Sequence, residues 1–154
     1  MSLKQKKKLD GMVDVSVKKI TKRIARATST IQMSAKAFKA FVREGSPKGD
    51  IFETARIAGI MAAKSTPDII PMCHPLMLSK VIISFSVKKN KRQIITTSEV
   101  ICCGQTGVEM EALTAVSVSS LTIYDMMKWA DKGCVILETK LLHKSGGKSG
   151  NYDA

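Results

Sequence analysis

The cleanest pattern in the chain is an alternation. From Lys80 to Lys89 apolar residues fall on every second position, at Val81, Ile83, Phe85 and Val87, with polar residues mostly between them. A period of two sends alternate side chains to opposite faces of a β-strand. Asn90-Lys91 reads as a turn and Gln93 to Cys103 as the strand that returns, so the two form a hairpin. Arg26 to Met33 is half-alternating and rich in β-branched residues, which predicts an earlier strand. Cys134 to Leu142 predicts a last one.

Helical spacing fills the gaps between these runs. Ser34 opens a helix to Glu44, with Ala37, Phe38, Phe41 and Val42 at helical intervals and Gly45 and Pro47 to end it. Asp50 followed by Glu53 has the form of a capping box and opens a second helix, to about Lys64, stopping before Thr66-Pro67. Thr106 with Glu109 repeats that form and predicts a long helix from Gly107 to about Trp129. The order is β-α-α-β-β-α-β. With the two shorter helices taken as one crossover, this is the ferredoxin-like β-α-β-β-α-β plan, an α+β fold with an antiparallel sheet and helices on one face.

The long helix carries no charge from Ala112 to Tyr124, and its apolar residues are spread around it. A helix that is apolar all round is buried all round. A four-stranded sheet covers only one side, so the other side is expected to meet a second copy of the chain. The small residues Ala112, Ala115 and Ser119 allow close approach. The charges sit at the helix ends, Glu109 and Glu111 at one and Asp125 and Lys128 at the other. At ~1.5 Å per residue, Glu111 and Asp125 are roughly 21 Å apart along the axis. Both ends can serve one small ligand only if the site is shared between subunits.

Composition narrows the class. The chain has 154 residues, enough for one domain, and 44% are hydrophobic, so a core can form. No window holds eighteen consecutive apolar residues and the basic N-terminus lacks the apolar run of a secretory signal, so no membrane role is expected. Cys73, Cys102, Cys103 and Cys134 have no metal-ligand spacing and read as reduced thiols, which suits the cytoplasm. Residues 1–10 read as a disordered basic arm, 11–143 as a single domain and 144–154 as a flexible Gly/Lys-rich tail. The net charge of +12 allows an acidic partner, whether nucleic acid, anionic lipid or a small polyphosphate.

Four constellations could carry chemistry. Asp125 and Lys128, three apart on a helix, can exchange protons or simply form a surface ion pair. Pro71-Met72-Cys73-His74-Pro75-Leu76 presents His74 on a backbone stiffened by two prolines. Ser145 to Gly150, SGGKSG, lacks the full spacing of an ATP-binding loop, which excludes an ATPase, but its backbone N–H groups and Lys148 could cradle a phosphate. Lys48-Gly49-Asp50 puts a lysine at a helix N-terminus, with Arg56 and Lys64 following; Asp14, Lys22, Arg23 and Arg26 add charge upstream. An RNA-binding module would display aromatics on its sheet, whereas Phe85 alternates with Val and Ile as core does. A metal site built on Cys73, His74 and glutamates has the wrong spacing.

Together these segments resemble the MoaC family, the cyclic pyranopterin monophosphate synthases. The matching stretches are MVDVSVKKITKRIARA (12–27), KGDIFETARIAGIMAAKSTPDIIPMCHPLMLSKV (48–81), GQTGVEMEALTAVSVSSLTIYDMMKWADKG (104–133) and KSGGKSG (144–150). The resemblance implies a ferredoxin-like fold and a homo-hexamer, a trimer of dimers with the active site at a subunit interface. It implies a lyase that converts (8S)-3′,8-cyclo-7,8-dihydroguanosine 5′-triphosphate to cyclic pyranopterin monophosphate and pyrophosphate, in molybdenum cofactor biosynthesis. Carried over by motif, the catalytic pair falls on Asp125 and Lys128. Substrate-binding positions fall on Lys48, on Met72, Cys73 and His74, on Glu109, Met110 and Glu111, and on Lys148 in a tail that contributes to the site. No metal ligand or cofactor is implied, although a triphosphate can carry Mg²⁺ without a protein cage. Met127 stands where the family usually has Cys, and Trp129 where a small residue is common. Clustered lysines are expected to lower one another's pKa.

Overall fold

The structure, a computed structural model, describes residues 11–154; the expected N-terminal arm lies outside the described residues. Its elements are β1 (Thr21–Gln32), α1 (Ala35–Arg43), α2 (Ile51–Lys64), α3 (Thr66–Ile69), β2 (Leu78–Lys88), β3 (Gln93–Gly104), α4 (Glu109–Met127), β4 (Val135–Ser145) and β5 (Tyr152–Asp153). The sheet order is β2-β3-β1-β4-β5. Every neighbouring pair is antiparallel. The first four strands have the ferredoxin-like arrangement, and β5 adds an edge.

Register explains which side is core. Ala25 pairs with Val100, Ala27 with Ser98 and Ile31 with Ile94 on adjacent strands, and all are buried on the helical face. Ile83 of β2 joins them, while Phe85 stacks on Phe52 of α2 at 4.8 Å between ring centroids. Phe85 is therefore core. The opposite register, through Ile24, Arg26, Thr97, Glu99 and Ile101, carries no aromatic residue among those described.

The hairpin and the first two helices lie close to their sequence-based positions. Ser34 caps α1 by accepting from Ala37 N–H at 3.0 Å, and Asp50 caps α2 by accepting from Glu53 N–H at 2.9 Å. Four expectations need correction. β1 starts at Thr21, five residues before its β-branched run: the charged Lys22 and Arg23 do not read as strand by residue type, although Arg23 keeps the inward phase. Thr106 does not cap α4: Val108 stands at the N-cap without a side-chain hydrogen bond, and Thr106 instead lines a cleft. A short α3 follows Ser65 where the helical region was expected to stop. The terminal stretch is not a separate tail from residue 144, since β4 runs to Ser145 and β5 pairs back, His143 with Asp153 and Lys144 with Tyr152.

The close approach allowed by the small residues of α4 is taken up within the chain. Gly59 of α2 lies so close to α4 that an added Cβ would collide with the Ser119 hydroxyl and stand 2.9 Å from the Ala115 carbonyl. Ser119 donates to the Ala55 carbonyl across the same crossing at 2.9 Å. Helix α2 therefore covers one flank of α4. Leu121, on the remaining flank, is 56% exposed, and Met61 on the outer side of α2 is 62% exposed. The helical layer keeps an apolar outer surface.

Candidate active site

The C-terminal end of α4 gathers three charges. Asp125 Oδ1 lies 2.7 Å from Lys128 Nζ, and its Oδ2 lies 2.6 Å from Lys48 Nζ. Lys128 reaches Asp125 because residues three apart on a helix are neighbours. Lys48 arrives from the α1–α2 loop and extends its ammonium along the helix end. All three side chains are about half exposed. Hydrogen bonds from Lys128 first and Lys48 second hold the Asp125 carboxyl down to about 2. The same Asp125 contact raises the Lys128 ammonium above its ordinary value. The expected lowering by clustered lysines does not hold for Lys128: its hydrogen bond and charge contact with Asp125 raise it, and it is protonated at neutral pH.

At the other end of α4 lies a cleft of about 890 Å³, within the range of ligand sites. It is lined by Lys18, Lys19, Arg23, Glu109, Lys144 and the Gly146–Ser149 loop. Arg23 points inward from β1 in phase with Ala25 and Ala27, and is only 6% exposed. Its Nε donates to the Gly104 carbonyl at 3.1 Å and its Nη2 to the Gln105 carbonyl at 3.1 Å. No carboxylate among the described residues is within ion-pair distance of it. The cleft is lined by five cations, Lys18, Lys19, Arg23, Lys144 and Lys148, against two carboxylates, Asp14 and Glu109, and a buried guanidinium there with no ion-pair partner among the described residues favours an anion.

The C-terminal loop forms the cleft's rim. Lys144 Nζ pairs with Glu109 Oε1 at 3.2 Å and donates to Ser149 Oγ at 2.8 Å. Gly146 adopts φ +84°, and an added Cβ would collide with the Lys22 carbonyl, so no other residue fits. Thr21 Oγ1 donates to the Gly146 carbonyl at 2.7 Å. His143 Nδ1 and Asp153 Oδ1, 2.7 Å apart, clasp β5 to β4 beyond the loop. Lys148 is exposed on the loop and lines the cleft.

The Cys73-His74 loop meets this same end. Glu111, 3% exposed, has its carboxyl pushed up by burial first and by the Glu109 charge second. Burial, and then Glu111, push up the thiols of Cys73 and Cys102. Leu76 lies against Gly104. Cys73 and His74 are half-buried and Met72 is exposed. Among the described residues no three His, Cys, Asp or Glu side chains gather as a metal site would.

One protomer thus holds the candidate residues as two groups. Lys48, Asp125 and Lys128 form one; Cys73, Glu109, Glu111 and Lys148 belong to the other, with Met72, His74 and Met110 on the same loop and helix turn. The sequence matches the MoaC family over residues 12–147. The chain belongs to the MoaC family. A relative from Rhodospirillum rubrum, a cyclic pyranopterin monophosphate synthase, is 47% identical over 143 residues, which span 93% of this chain and 86% of that protein.

Within this MoaC-family chain the two departures have separate fates. Met127 is fully buried in the core beside Ile123 and Met126, so its sulfur faces packing and not the triad. Trp129 is 44% exposed beside Lys39 and Arg43 of α1. Sequence reasoning noted Arg23 only as upstream charge and missed Lys144. The signal for Arg23 was present, a charge in phase with Ala25, Ala27 and Ile31. For Lys144 it was broken by a register shift in the β1–β4 pairing between Arg26 and Ala27.

Proposed function

We infer that this chain is a cyclic pyranopterin monophosphate synthase, a phosphorus–oxygen lyase of molybdenum cofactor biosynthesis. It converts (8S)-3′,8-cyclo-7,8-dihydroguanosine 5′-triphosphate to cyclic pyranopterin monophosphate and pyrophosphate. Beyond family membership, the observation that carries this reading is the Asp125 carboxylate held between Lys48 and Lys128. The Asp125 contact raises Lys128, so the ammonium keeps its proton at rest and can release it only when substrate draws it away from the carboxylate; Asp125, ionised at neutral pH, orients it. Rearranging the purine-derived rings requires protons moved on and off carbon, nitrogen and oxygen, which suits this pair with His74.

Closing a cyclic phosphate requires a substrate hydroxyl to attack the α-phosphorus. The bond to the β-phosphate oxygen breaks, pyrophosphate leaves, and the hydroxyl proton passes to a base. Developing phosphate charge favours fixed cations. Arg23, Lys144 and Lys148 supply them on one side and Lys48 on the other. Glu109 and Glu111 would accept hydrogen bonds from the guanidine-like edge of the base, with Met72, Cys73 and Met110 walling the ring. This reading needs no resident cofactor, and Mg²⁺ would enter on the triphosphate.

One ligand cannot reach both ends of α4 in a protomer, at roughly 21 Å. A homo-hexamer, a trimer of dimers sharing each site between subunits, resolves the separation. The apolar outer surface at Leu121 and Met61 supports burial against another copy. A cytoplasmic setting fits a chain in which no described helix is long and apolar enough to cross a membrane, and which has four free thiols. The test is incubation with the cyclic triphosphate, following pyrophosphate and the pterin together. Equal amounts of both are expected; folded protein that releases neither would end the reading.

A further inference from the structure

We propose that Ser46 is the positioning residue of the Lys48–Asp125–Lys128 group, holding the Lys48 loop against the end of α4. Its hydroxyl donates to the Met126 carbonyl at 2.8 Å and accepts from the Lys48 backbone N–H at 3.2 Å. The first bond lands next to Asp125, on one of the carbonyls that a helix end leaves without an intrahelical partner. The second fixes the backbone of Lys48 itself. One half-buried side chain therefore sets the distance between two groups far apart in sequence.

The surrounding loop needs such a tie. Gly45 at φ +71° and Gly49 at φ +108° flank it, and glycine leaves the chain its widest conformational freedom. Among the described residues, the loop's hydrogen bonds to α4 come only from Ser46 and from the Lys48 ammonium. The ammonium is the group that must change partners when a phosphate or a proton arrives. The loop has backbone hydrogen bonds of its own, from Gly45 N–H to the Ala40 carbonyl and from Gly49 N–H to the Ser46 carbonyl, but without the Ser46 hydroxyl its only hydrogen bonds to α4 would be those that turnover disrupts. With it, Lys48 can leave Asp125 for substrate while its backbone stays in place.

The proposal rests on Lys48 belonging to the lyase site, and the test separates the two ideas by a double-mutant cycle. Ser46→Ala should lower kcat about tenfold, the cost of losing a hydrogen bond that sets a reacting geometry. Ser46→Thr keeps the hydroxyl and should keep turnover. In Lys48→Gln, measured with enzyme in excess, adding Ser46→Ala should change the residual rate less than twofold, because a residue acting through Lys48 has nothing left to position. Equal loss from Ser46→Ala in both backgrounds would overturn the proposal, as would full kcat in the single variant. If Lys48→Gln alone turned over normally, the assignment of Lys48 to the site would fall, and this inference with it.

Discussion

The two ends of α4 carry carboxylates pushed in opposite directions. Asp125, half exposed, is held down to about 2 by two ammonium groups within 2.7 Å. Glu111, in the first turn, is buried and pushed up. One end is an open ion group built to stay charged; at the other, beside the cation-lined cleft, Glu111 is enclosed and a negative charge on it is costly. The difference divides the labour: the open end suits proton transfer, and the enclosed end suits holding a ligand by shape, hydrogen bonds and fixed cations.

Variants at the open end should strike turnover hardest. Lys128→Ala should lower kcat by about 10²–10⁴-fold, the usual worth of a general acid or base, with little change in the thermal midpoint. Steady-state kinetics beside a melting curve checks this; unchanged kcat would remove Lys128 from the chemistry. At the enclosed end, Arg23→Gln should raise KM by about tenfold to hundredfold, the range for hydrogen bonds to charged groups, and lower kcat less. A fall confined to kcat would erase the division between the ends. Mixing these two variants joins the ends again. If subunits share sites pairwise, a random mixed population regains about a quarter of wild-type sites, one intact site in each mixed dimer. No recovery after subunit exchange would place both groups of one chain in the same site.

How far the sequence foretold this contrast depended on local signals. The hairpin was readable because Val81, Ile83, Phe85 and Val87 keep strict phase and have no competing charge. Ser34 and Asp50 were readable because a cap needs only the chain beside it. Thr106 failed as a cap because the helix begins two residues later than expected, with Val108 at the N-cap and Thr106 lining the cleft instead. The meeting of Lys48 with Asp125 spans seventy-seven residues and depends on how a loop folds onto a helix end, which no local period encodes. The motif supplied both residues, and tertiary geometry supplied their contact and the sign of the Lys128 shift.

The smallest effects concern stability, and their signs are opposed. The Asp125 contribution is present above the ordinary aspartate value of about 3.9 and is lost as pH falls towards about 2. Asp125→Asn should therefore remove part of the acid limb in melting curves; an unchanged limb would show that the pair is not formed in solution. Glu111 costs stability once pH exceeds the ordinary glutamate value of about 4.3, because the folded state resists its ionisation. Glu111→Gln should melt higher than wild type at neutral pH and equal it below about pH 4. A lower midpoint at neutral pH would mean that the buried charge has a partner in the assembled protein.

Pairing Tyr152 and Asp153 with Lys144 and His143 turns the Gly-rich segment into a hairpin loop anchored at both stems. A strand left dangling would surrender its conformational freedom anew at each capture of substrate. Here most of that entropic charge is settled when the polypeptide folds. The Lys148 amine consequently patrols a small volume beside the cleft mouth, and its effective concentration there follows from the length of the loop, a handful of residues.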